Sequence, residues 1–166
     1  MKGNTHVVGG LAAAVLADYV LLKNNLPLDR EVVFYSTALF GSMLPDLCHP
    51  GSWIGKKTKV LSKLVSKTFG HRTITHSWLF ILCVYWLASY APASYEQVVS
   101  YGLISGVVSH LFLDACTARG IQLLYPLPLR FRFPLYTKTG SKAESAVSTM
   151  LMAASLVLFM KHYFFQ

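Results

Sequence analysis

Five apolar stretches, at residues 7–22, 32–44, 74–90, 98–115 and 146–160, constrain this chain more than any other feature. A single hydrophobic helix needs about 17–25 residues to cross the hydrocarbon core of a bilayer, because each residue advances it by only about 1.5 Å. The third, fourth and fifth stretches meet or approach that length, the fifth more fully if it runs on to 165. The first is slightly short. The second, VVFYSTALFGSML, is clearly short, and spans only if the preceding PLDRE lies in the interface or neighbouring helices shield it. Only 13% of the 166 residues are charged, against about a quarter in water-soluble domains, and the mean hydropathy is +0.45. A soluble helical protein with a very apolar core fits these values poorly. The expected fold class is all-α: one multi-pass domain over 1–166, an integral membrane bundle of about five helices.

Stretch 7–22 has a small-residue VLA before Asp18, as a cleaved signal would. Only Lys2 precedes it as a basic residue, however, and Gly9 and Gly10 interrupt its apolar core, so a retained helix is expected. Cys48, Cys83 and Cys116 show no CxxC spacing and read as small buried residues, with Cys48 and Cys116 outside candidates for more.

The net charge of +8 is unevenly spread. With five spans, the N-terminus and the loops 45–73 and 116–145 share one side and carry twelve basic residues, against three (Lys23, Arg30 and Lys161) on the other. The excess of Lys and Arg on cytoplasmic loops places the N-terminus in the cytoplasm and the C-terminus outside. Within 51–69, KKTKVLSKLVSKTF repeats Lys59, Lys63 and Lys67 every four residues, with Val60, Leu61, Leu64 and Val65 opposite. This is the pattern of a basic amphipathic helix resting, through 56–67, on anionic inner-leaflet headgroups. Nucleic acid is the poorer partner, because such binders interleave their charges with aromatic platforms or grooves. RFRFPLY at 130–136 suits the headgroup boundary in the same way.

The chemistry collects on the basic side. His6, Asp46, His49, His71, His76, His110, Asp114 and Glu144 all fall at the cytoplasmic ends of the spans, and of six histidines only His162 lies opposite. His110 and Asp114, four apart, share one helix face, and imidazole with carboxylate is the ligand chemistry of zinc and comparable divalent ions. His71 and His76 are too far round for one helical face. If a helix begins near Thr73 or Thr75, His71 comes from the loop and His76 from the first turn. Each histidine alone reads as an interfacial hydrogen-bonding group; their convergence at one depth points to a metal site, since ionisable groups beside spans are costly and mark function.

LPDLCHP at 44–50, GHRTITHS at 70–77 and HLFLDACTARGIQLLYP at 110–126 resemble the motifs of the YdjM-like family of LexA-regulated, membrane-bound metal-dependent hydrolases. That family is in turn similar to zinc-dependent phospholipase C and its related single-strand nucleases. The resemblance implies one to three divalent ions, in the first place Zn2+, held by His6, Asp46, His49, His71, His76, His110 and Asp114. It implies Arg72 as stabiliser of negative charge, Glu144 or Asp46 as general base, and a lipid or lipid-linked ester as substrate at the cytoplasmic face of a bacterial inner membrane. The soluble relatives use their N-terminal amine as a ligand, a role expected to pass here to His6. The rival classes are a divalent-ion transporter and a non-catalytic protein with a structural metal. A transporter places its ligands near mid-membrane, and the middles of the third, fourth and fifth spans carry no ionisable residue.

Overall fold

The computed structural model describes residues 1–23, 25–69 and 72–164. Its helices are α1 (Gly3–Ala17), α2 (Leu28–Met43), α3 (Trp53–Lys57), α4 (Lys59–Phe69), α5 (Trp78–Ala88), α6 (Glu96–Ala115) and α7 (Lys142–Phe164). α1 runs on through a π turn, Asp18–Leu22, and 3₁₀ turns lie at Leu44–Cys48 and Ile74–His76. Among the described residues there is no β-strand, only the isolated bridges Thr117–Thr137 and Ile121–Phe131 in the α6–α7 loop. The architecture is the all-α bundle its composition demands.

Among the described residues three helices are long and apolar enough to cross a membrane: Gly3–Leu22, Glu96–Ala115 and Lys142–Lys161. α2, at 16 residues, begins ahead of the apolar stretch 32–44, and α5, at 11, is shorter than the stretch 74–90. The difference at α5 has a local cause. Residues 74–76 form a 3₁₀ turn and Ser77 is extended, so the helix starts only at Trp78. Ser77, not Thr73 or Thr75, therefore stands at its N-cap. His6 lies inside α1 rather than ahead of it, and Glu144 lies in the first turn of α7 rather than before it. Cys48 is buried as expected, whereas Cys83 is exposed and Cys116 half-buried.

α6 is the most enclosed spanning helix, with 56% of its length buried against 11% for Lys142–Lys161, so α7 is peripheral. What lets α1 and α2 close on α6 is a seam of small residues. GLISG at 102–106 is a GxxxG segment, which removes side chains where two helix backbones must meet. A Cβ on Gly102 would strike the Phe34 carbonyl, and one on Gly106 would strike the Ala38 carbonyl and the Ser42 amide. On the other flank Gly9 faces Leu113 and Gly10 faces Ser42 just as tightly. The glycines read as interruptions of an apolar run are thus the contact surface that holds the three helices together.

The segment 51–69 folds into α3 and α4. Lys59, Lys63 and Lys67 are exposed on α4, and so are Val60, Leu61 and Leu64, leaving an apolar strip uncovered by the protein.

Candidate metal centre

The glycine seam sets the position of the first imidazole. His110 follows Gly106 by one helical turn, and the close approach of α2 brings the Ser42 carbonyl to 2.6 Å from His110 Nδ1. A carbonyl can only accept, so Nδ1 carries the proton and the neutral ring keeps its lone pair on Nε2. That nitrogen is buried and has no hydrogen-bond partner. It points into a space bounded by Asp114 at 3.7 Å and Asp46 at 3.9 Å, both beyond hydrogen-bonding range.

His6 reaches the same space from α1. It precedes Gly10 by one turn, and its ring stacks on His110 with centroids 3.7 Å apart and planes 11° from parallel. Its Nε2 lies 3.3 Å from Asp114. His76 comes from the 3₁₀ turn ahead of α5, edge-on to His110, with Nε2 3.2 Å from Asp114 and Nδ1 3.0 Å from the Thr75 hydroxyl. Burial works against charging His76, but hydrogen bonds to Asp114 and the Cys48 thiol outweigh it and raise its pKa.

Asp114 is the hub. Besides the imidazoles it accepts from the Met1 ammonium and, at 2.9 Å, from Arg72 Nη2, while Arg72 Nη1 donates to Thr117 at 3.1 Å. Arg72 has φ +62°, a left-handed conformation that costs a non-glycine residue about 1–2 kcal/mol. Such strain persists only where the surroundings hold it in place, and here the salt bridge to Asp114 does so.

Among the described residues two sets of donors have spacings suited to a metal: His6, His110 and Asp114, and Asp46, His76 and His110. A tetrahedral ion with bonds of about 2.0–2.1 Å sets its ligands about 3.3–3.4 Å apart. The separations of 3.2–3.9 Å around Asp114 and His110 bracket that value. The Ser42 carbonyl on His110 Nδ1 is also the kind of outer partner that orients a ligating imidazole. The residues present fit a divalent ion.

The other expected residues are placed differently. His49 is exposed and belongs to neither donor set; the turn at Pro50 and Gly51 carries it outward. His71 lies outside the described residues, as does the side chain of His162. Glu144 is buried, but its carboxylate accepts from the Lys2 and Gly140 amides and the Thr5 hydroxyl. It anchors the start of α1 to the start of α7, and a group so occupied is a poor general base. Arg72 grips Asp114 itself, so its first effect is to orient a candidate ligand. The terminal amine also stands at the cluster, on Asp114, where the expectation assigned its place to His6 alone.

The model of the YdjM inner membrane protein family matches residues 1–166. The chain belongs to this family. Its relatives include the protein YvsG of Bacillus subtilis (strain 168), 43% identical over 96% of this chain and 94% of its own length. They also include the inner membrane protein YdjM of Escherichia coli (strain K12) and of Shigella flexneri, each 31% identical over 94% of this chain and 82% of the relative. No solved structure matches. This member of the YdjM family carries its His and Asp donors at the ends of apolar helices, as an inner membrane protein with a site at one membrane face would. Read from the sequence, the cluster has no place for the Ser42 carbonyl or Thr75, holds Cys48 as an outside candidate, and passes the role of the Met1 amine to His6. Thr75 had a signal in its place inside the GHRTITHS motif, whereas the Ser42 carbonyl is a backbone group that every residue possesses.

Proposed function

We propose that this chain is a metal-dependent hydrolase of the inner membrane that cleaves a phosphodiester or other ester of a lipid or lipid-linked substrate at the cytoplasmic face. The observation that carries the reading is His110 Nε2, a buried lone pair with no hydrogen-bond partner, fixed by Ser42 and facing two carboxylates. A structural histidine of an apolar bundle would be expected to satisfy both nitrogens.

His6, His76, His110, Asp114 and Asp46 would hold one or more ions, Zn2+ first among them given the imidazole-rich set. A divalent ion bound there supplies Lewis acidity and draws the ionisation of water toward neutral pH. Asp46 is the carboxylate placed to exchange protons with solvent, its side chain 21% exposed where that of Asp114 is 1%. Arg72 holds Asp114 in orientation, and its guanidinium borders the polar cavity beyond the cluster, where negative charge on a substrate would gather. The charge bias of the loops supports an N-terminus in the cytoplasm and a C-terminus outside. The uncovered strip of α4 beside its lysines suits contact with anionic lipid.

The test is metal content. Protein purified in detergent without added metal, and after reconstitution with zinc, manganese or iron, is expected to hold one to three ions per chain. His110→Ala and His76→Ala should lose them while keeping their helical circular dichroism. Well-folded wild type that binds none of the three would overturn the hydrolase reading.

A further inference from the structure

Two cavities of opposite character adjoin at Met1, whose ammonium sits on Asp114 of the cluster. One, of about 850 Å³, runs between α1, α6 and α7, walled by apolar side chains such as Ala13, Leu16, Val20, Val108 and Leu151. The other, of about 630 Å³, lies beyond the helix ends, with Lys2, Arg72, Arg119 and Lys138 on its wall and Asp46 facing them. A smaller recess of about 320 Å³ continues from Arg72 and Arg119 to Arg130, so three guanidinium groups border one end. Both main cavities have the size of ligand pockets, about 300–1,000 Å³.

Their boundary is sharp. Met1 lines both, and the next residue, Lys2, lines only the basic one. Cys116 lines the apolar cavity and Thr117 the basic one; Thr137 lines the apolar cavity and Lys138 the basic one. The seam is the Thr117–Thr137 bridge, closed by the Thr137 amide donating to Cys116 at 2.9 Å and the Ala118 amide to Thr137 at 3.2 Å. Here the structure touches the cluster twice, through the Met1 ammonium on Asp114 and the Thr117 hydroxyl on Arg72. The Thr137 hydroxyl is buried at the same seam with no hydrogen-bond partner, a state that calls for a polar atom from elsewhere.

We infer that the two cavities form one binding site for an anionic phospholipid, its phosphate head among Arg72, Arg119 and Lys138 and its hydrocarbon tail in the groove between α1 and α6. Guanidinium forks match phosphate oxygens two at a time, and the four cationic side chains of the basic cavity outnumber the one carboxylate among its described lining. A soluble phosphate ester would leave the apolar cavity unfilled, and an uncharged lipid would bring no anion to Arg119 and Lys138, for which no ion pair is found among the described residues. A phospholipid bound this way sets its ester linkages at the seam, within reach of the Thr137 hydroxyl and next to Asp114. That the bound lipid is the substrate rests on the hydrolase reading; that it binds does not.

The whole chain in neutral detergent is titrated by calorimetry with short-tailed phosphatidic acid, with the matching phosphatidylcholine, and with inorganic phosphate. Phosphatidic acid is expected to bind once per chain, at least tenfold more tightly than phosphatidylcholine. Arg119→Gln with Lys138→Gln should abolish that preference by weakening phosphatidic acid much more than phosphatidylcholine. Val108→Trp, a change at an exposed wall of the groove, should weaken both lipids tenfold or more without altering the circular dichroism. His110→Ala should still bind phosphatidic acid, so that absent metal or absent hydrolysis overturns the enzyme reading and leaves the lipid site standing. Equal affinity for the two lipids would overturn the inference, as would indifference to Val108→Trp. Inorganic phosphate binding as tightly as phosphatidic acid would also overturn it, identifying a site for soluble phosphate esters.

Discussion

Asp114 concentrates the electrostatics of the cluster. It is a buried carboxylate facing the Met1 ammonium, a guanidinium and three imidazoles, so its charge is what makes their burial tolerable. Replacing one partner of a buried charge set costs about 3–5 kcal/mol because the others are left uncompensated. Asp114→Asn is therefore expected to destabilise the metal-free protein in detergent by a free energy of that order, read as a lower thermal midpoint, and to abolish metal binding. Ala at His49, exposed and outside both donor sets, should leave metal content and midpoint unchanged. The HxxxD spacing made His110 and Asp114 legible as a pair from the sequence. The exclusion of His49 was not, because whether a turn sends a side chain inward depends on what it packs against.

The pairing of α2 with α6 decides whether the donors meet. Their backbones approach at Gly102 and Gly106, and one turn on, that approach becomes the Ser42–His110 hydrogen bond. Gly106→Val inserts a branched side chain where even a Cβ would overlap the Ala38 carbonyl and the Ser42 amide. Forcing atoms into a filled interface costs about 1–3 kcal/mol, and the separation of the helices should lower metal content as well, in a variant that touches no donor. Metal retained at wild-type stoichiometry in a folded Gly106→Val protein would show that the seam does not position the site. α4 makes a second element-scale expectation. A spin label at Val60 or Leu64 should be relaxed by dissolved oxygen and one at Lys63 by a water-soluble nickel chelate, since the uncovered apolar strip and the lysines would face lipid and water respectively.

For the whole molecule, the ends of α1, α6 and α7 that carry His6, Asp114 and Glu144 lie together. The basic loops flank the same end, so a C-terminal alkaline phosphatase fusion is expected to be active and a C-terminal green fluorescent protein fusion dark, as for an outside terminus. Metal affinity should fall as pH drops through and below neutrality, because each imidazole must shed its proton to ligate and His76 holds its proton more tightly than an ordinary histidine. The release is measurable as a buffer-dependent heat of zinc binding. By itself the sequence determined that the chain is helical and membrane-embedded, because the cost of unpaired backbone groups in lipid leaves apolar stretches of this length little other choice. It also determined that imidazoles and carboxylates gather at one end, since linear position along a span is depth. Only the tertiary structure decided which of them converge. That depends on how closely α1, α2 and α6 approach and how the 3₁₀ turns aim their side chains, quantities that arise from packing between segments far apart in the chain.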